Sequence, residues 1–148
     1  MSTLGKKQEI FTRLNSDFDY WIVSQWRHEV RQGEIYRHPR MAEFNSMVCR
    51  VCKGWKNRDP HKHHPTQPHR FKAVGIKNSL HCLKLASDKL LFVNGIWQQR
   101  TEQYRELGEQ WKGMSGTYRG IKVVCCWGGD FRNRPDGNHF SITHNGIK

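Results

Sequence analysis

The chain has 148 residues, enough for one domain with a packed core and too few for two comfortable ones. Lysine and arginine total 25 against 13 aspartates and glutamates, a net charge of +12 that favours polyanions: nucleic acid, an anionic membrane face, or cell-wall polymers bearing phosphate and carboxylate. No run reaches the ~18 apolar residues of a membrane span. The five cysteines (Cys49, Cys52, Cys82, Cys125 and Cys126) lack framework spacing. They point to synthesis in a reducing cytosol, not to a disulfide scaffold. Met1 to Glu9 is polar and charged, without the apolar segment of a signal peptide.

Residues 8–32 read as one helix, because Ile10, Phe11, Leu14, Phe18, Trp21, Ile22 and Trp26 recur at three- and four-residue steps and share a core face. Gly33 fits its stop. Glu34 to Arg37 is a short strand-like piece ended by Pro39, and Met41 to Met47 suits a short helix. The stretch 49–75 differs in character. Pro60, Pro65 and Pro68 stand among His61, His63, His64 and His69 in a basic, aliphatic-poor context, which predicts a long loop insert. Cys49-x-x-Cys52 followed by His64 and His69 approaches a Cys₂His₂ zinc spacing, while the prolines favour a solvated loop with two plain thiols.

Leu85 to Val93 reads as a strand, Asn94-Gly95 as a two-residue hairpin turn, and Ile96-Trp97 as the return. Thr101 is placed to cap a helix running to about Lys112, with Tyr104, Leu107 and Trp111 on its inner face. Ile121 to Trp127 reads as a buried strand, and Gly128-Gly129 as a turn. A polar loop over 130–138 then leads to a strand at His139 to Thr143, with His139, Ser141 and Thr143 on one face. Interleaved helices and hairpin signals predict an α+β fold: a single domain over 1–148, mainly antiparallel sheet with flanking helices.

Three side chains of this pattern suit a zinc site at the sheet. His81 and Asp88 lie seven residues apart, directly before the apolar run Leu90 to Val93, and Asp136 precedes His139 by three. Imidazole nitrogens and a carboxylate oxygen are normal zinc ligands, and a catalytic zinc needs three of them plus an open position. An acid beside such a site can act as general base.

Ser79, His81, Ala86 and Asp88 resemble the Ser-x-His-x-x-Gly-x-Ala-x-Asp pattern of the zinc D-alanyl-D-alanine carboxypeptidases and L-alanyl-D-glutamate endopeptidases. Asp136-Gly137-Asn138-His139 is similar to that family's second motif. Trp127-Gly128-Gly129-Asp130-Phe131 resembles the segment before it in phage endolysins, and Glu34-Ile35-Tyr36-Arg37 the segment carrying a substrate-polarising arginine. The resemblance implies Zn²⁺ on His81, Asp88 and His139, Asp136 as general base and Arg37 as the group that polarises the substrate. Ser79 and His144 are the further candidates for substrate contact. It implies a monomeric endolysin-type peptidase, made in the host cytoplasm and acting on bacterial peptidoglycan, with the L-alanyl-D-glutamate bond as target and D-alanyl-D-alanine carboxypeptidase activity as the variant. No stable nucleic-acid partner is then expected. A basic nucleic-acid-binding module remains the reading from a different class, and an inactive wall-binding relative a third. Lys84 stands where the pattern has glycine; if that position needs a positive φ, lysine strains the backbone there.

Overall fold

The computed structural model describes residues 2–25, 28–36, 47–49, 71–73 and 79–148. Of the expected helix Met41 to Met47 only Met47 is described, and it lies in a strand; Arg37 and the Cys52, His64 and His69 part of the Cys/His insert lie outside the described residues.

Helix α1 spans Thr3–Gln25. Ser2 starts it, its Oγ accepting the N–H of Gly5 at 3.1 Å. Ile10, Phe11, Leu14, Phe18 and Ile22 are buried, as their spacing demands. The helix does not continue to residue 32. Beyond Trp26 the apolar stripe ends, and Glu29–Gln32 instead forms strand β1, with only Val30 packed against the core.

Strands β2 (Met47–Cys49) and β3 (Phe71–Ala73) pair antiparallel, so the ends of the expected loop insert are joined by a short ladder. Strand β4 is Ala86–Val93, followed by β5 at Ile96–Trp97. The turn between them has positive φ at both Asn94 (51°) and Gly95 (76°), the geometry that an Asn-Gly hairpin provides. A 3₁₀ turn, Thr101–Tyr104, leads into helix α2, Arg105–Gly113. Thr101 is not its cap. Gln103 Oε1 accepts the backbone N–H groups of Gln99 and Arg100 at 3.1 and 2.9 Å. Tyr104, Leu107 and Trp111 are buried as expected.

The run 121–127 is two strands. β6 (Gly116–Tyr118) and β7 (Ile121–Val123) make a separate hairpin, and β8 (Cys125–Trp127) joins the main sheet. The break falls at Val124, which is exposed. β9 is His139–Ile142. The main sheet has the order β1-β4-β9-β8, with β5 on β4, and every pairing is antiparallel. The fold is a small α+β domain with two helices among the described residues.

Both helices cover one face of this sheet. Phe18 and Trp111 meet Phe140 of β9 at ring separations of 5.1 and 6.3 Å, and Trp111 Nε1–H donates to the Ser141 carbonyl at 2.9 Å. Lys89 also points this way and is fully buried. Its Nζ donates to Asn15 Oδ1 and Asp19 Oδ1 of α1, both at 2.6 Å. Strand alternation then sends Ala86 and Asp88 to the opposite face.

Candidate metal centre

The register places the site. Asp88 opposes His139 and Ala86 opposes Ser141, and directly opposed residues share a face. The carboxylate and the imidazole therefore meet beside the small Ala86. Asp88 is held on both flanks: its N–H donates to the Glu34 carbonyl at 2.8 Å, its own carbonyl accepts from Gly33 N–H at 2.8 Å, and the next amide, Lys89, donates to the Asn138 carbonyl at 2.9 Å.

His81 arrives from a 3₁₀ turn, Leu80–Leu83. Ser79 caps that turn, its Oγ accepting the His81 N–H at 3.2 Å, so Ser79 acts on the site through the backbone of His81. Lys84 ends the turn in the left-handed region, φ 56° and ψ 39°, with its N–H on the His81 carbonyl. The glycine of the family pattern thus marks a position that does need a positive φ, and lysine carries the strain here, roughly 1–2 kcal/mol. Lys84 Nζ lies 5.4 Å from the Tyr36 ring centroid.

The donor atoms form a nearly equilateral triangle. His81 Nε2 is 3.2 Å from His139 Nδ1 and 3.3 Å from Asp88 Oδ1, and the third edge, His139 Nδ1 to Asp88 Oδ1, is 3.5 Å. A tetrahedral ion with bonds of ~2.0–2.1 Å separates its ligands by about 3.3 Å, so the triangle fits one. His81 Nδ1 lies 3.2 Å from the Ile35 carbonyl; with a metal bound, donation from Nδ1 to that carbonyl would leave the Nε2 lone pair facing the other two donors. Three donor atoms at such distances can share one cation. Burial pushes the Asp88 carboxyl up, but hydrogen bonds with His139 and His81, and their charge, outweigh it and bring the carboxyl down to about 2. Asp88 is therefore an anion at neutral pH. Among the described residues these three form the group that could hold a metal ion.

The loop before β9 is fixed by close backbone approach at Gly128. Its carbonyl accepts from Asp136 N–H at 2.8 Å and Phe131 N–H at 3.1 Å. A Cβ at Gly128 would stand 2.2 Å from the Asp136 carbonyl oxygen and 2.8 Å from His139 Cβ. Asp136 in turn accepts the His139 N–H on its carbonyl at 3.1 Å, and the Phe131 ring packs 5.4 Å from the His139 ring.

The structure thus brings His81, Asp88 and His139 together. Asp136 sits three residues from His139, exposed, on the wall of a cavity shared with Thr101 and Tyr104. His144 lies past the other end of β9, five residues beyond His139, in a turn where it exchanges backbone hydrogen bonds with Ile147. Asp130 pairs with Lys112 at 2.8 Å. The spacing did not disclose the Ile35 carbonyl, which orients His81, or Phe131. Both stood in segments marked for other residues.

Fold and site define a small α+β domain in which three side chains on the helix-free face of an antiparallel sheet could hold one metal ion. Residues 73–142, just under half of the chain, match a family model described as D-alanyl-D-alanine carboxypeptidase, and the match supports a metallopeptidase of that family. All three ligand residues lie inside the matched segment. Comparison with curated proteins gives no match.

Proposed function

We propose that the protein is a zinc peptidase that cuts the stem peptides of bacterial peptidoglycan at the L-alanyl-D-glutamate bond, as an endolysin does. The observation that carries this reading is the His81–Asp88–His139 triangle, with edges of 3.2–3.5 Å, inside the segment that matches the peptidase family. Two neutral imidazoles and one carboxylate suit a catalytic rather than a purely structural zinc, because they leave a net positive charge and an open coordination position. Zinc, when bound there, supplies Lewis acidity toward water and the peptide carbonyl.

The chain's own residues do the rest. Asp136, on the loop leading into His139, takes a proton from the attacking water and delivers it to the leaving amine. Arg37, by the resemblance of Glu34-Ile35-Tyr36-Arg37, is assigned the negative charge that grows on the carbonyl oxygen. Ser79 and the Ile35 carbonyl keep His81 in one orientation and one tautomer. The net charge of +12 draws the protein to the anionic wall.

Digestion of purified peptidoglycan, with metal content measured beside turnover, tests the proposal. New amino-terminal glutamate in the released peptides is expected, and release of free D-alanine instead would assign the carboxypeptidase variant. Asp136→Ala should keep its zinc and lose ~10²–10⁴-fold in turnover, whereas His139→Ala should lose both. Intact peptidoglycan after incubation with fully zinc-loaded protein would refute the proposal.

A further inference from the structure

We propose that the cavity beside Asp136 is a saccharide subsite that takes one N-acetylated amino-sugar ring of the wall glycan. The biological role rests on the peptidoglycan reading above; the binding itself does not.

The cavity has a volume of about 230 Å³. That is below the ~300–1,000 Å³ that enclose drug-sized ligands, and suits a single ring-sized group. It lies between two segments that meet only in the folded chain: Trp97 to Tyr104, and Pro135 to Asn138. Its chemistry is that of a neutral, hydroxyl-rich ligand. Gln98, Gln99 and Asn138 bring carboxamides and Thr101 a hydroxyl. Among the described residues no lysine or arginine lines it, so nothing described there selects a phosphate-bearing ligand.

Trp97 supplies the platform. It stands on the two-residue β5, opposite Phe92, and remains 48% exposed. The neighbouring Tyr104 hydroxyl is fixed, donating to the Gln98 carbonyl at 2.7 Å and accepting the Leu91 N–H at 3.1 Å. Indole surface of Trp97 stays open to solvent beside it. The C–H face of a pyranose stacks on such a surface, and carboxamides and a hydroxyl take its hydroxyl and acetamido groups.

The placement fits a substrate shared with the metal centre. Residues 136–138 of the cavity wall run directly into His139. Phe92, the partner of Trp97, is four residues beyond Asp88 on β4, about 13 Å along the strand. In peptidoglycan the stem peptide hangs from the lactyl group of an amino sugar by its first alanine. The first peptide bond therefore lies one residue from the sugar, within that span.

The test has two arms. A tetramer of N-acetylglucosamine, uncharged and free of peptide, is titrated into the zinc-loaded protein while the indole N–H resonances are followed. Saturable shifts are expected, weakened about tenfold in Trp97→Ala and less in Gln99→Ala, with zinc content unchanged in both. Absence of saturable shifts, or binding unaltered in both variants, would overturn the subsite. In the second arm, Trp97→Ala should raise KM about tenfold for a muramyl-peptide and leave a sugar-free stem peptide unaffected. Equal loss on both substrates would assign the cavity to peptide and overturn the proposal. Inactivity of the unaltered protein on both would sink the peptidase reading, while the oligosaccharide titration would still decide the subsite.

Discussion

Gly128→Ala is the most searching perturbation of the metal centre, because it adds one methyl group and removes no ligand. The new Cβ would lie 2.2 Å from the Asp136 carbonyl oxygen and 2.8 Å from His139 Cβ. Ordinary van der Waals contact begins at 3.4 Å, so the Asp136 segment must retreat by about 1 Å. That carbonyl holds the His139 N–H at 3.1 Å, and Asp136 N–H is tied to Gly128 at 2.8 Å. Two backbone hydrogen bonds at about 1 kcal/mol each are then lost or stretched, on top of ~1–3 kcal/mol for overpacking. The sum is a destabilisation of about 3–5 kcal/mol. Metal sites tolerate ligand displacements of only ~0.2 Å, so zinc affinity should fall steeply as well. Gly113→Ala is the control: a Cβ there meets nothing within 4 Å, and the position closes helix α2. Urea unfolding and competitive zinc titration of the two variants measure both quantities. A Gly128→Ala protein that keeps native stability and zinc affinity would refute the argument that this glycine seats His139.

Other perturbations separate further parts of the fold. Lys89→Met should cost ~2–4 kcal/mol in urea unfolding, below the ~3–5 kcal/mol of a fully buried pair because the Asp19 side chain is 34% exposed; a loss under ~0.5 kcal/mol would show that this ion pair does not fasten α1 to β4. Lys84→Gly should be about 1 kcal/mol more stable than Lys84→Ala, since both remove the ammonium and only glycine relieves the positive φ; equal melting temperatures would refute strain at this turn. Burial pushes the Cys125 thiol up to about 12 from 9.0, so its contribution is complete below pH 9 and is lost as the pH rises toward 12. At pH 10 the unfolded thiol is ionised about ten to one and the folded one is not, a loss of about 1.4 kcal/mol that Cys125→Ala should abolish in reducing buffer; identical alkaline destabilisation in both proteins would contradict it.

Much of the candidate site was legible because its information is local. His81, Ser79 and Lys84 belong to one turn, and the spacing from His81 to Asp88 crosses only that turn and the start of a strand. The positive φ at Lys84 could be anticipated from the glycine of the family pattern, and the β4–β5 hairpin from Asn94-Gly95. The α1 core stripe was legible for the same reason, since helical periodicity is a property of neighbours. What failed was whatever depended on partners distant in sequence. Glu29–Gln32 has one apolar residue, and only its pairing along Leu90 and Leu91 of β4 makes it a strand. The division of residues 121–127 at Val124 follows from two pairings: β7 to the Gly116 strand, across a turn at Arg119-Gly120 that no Asn-Gly announces, and β8 to β9. The alternation of His139 to Ile142 predicted a polar face and an apolar face, yet all four residues are buried, because the polar face is the site itself. Register therefore does the decisive work. A slip of one residue between β4 and β9 would turn His139 toward the helices and Phe140 toward His81, and the metal triangle and the wall of the Trp97 cavity would be lost together.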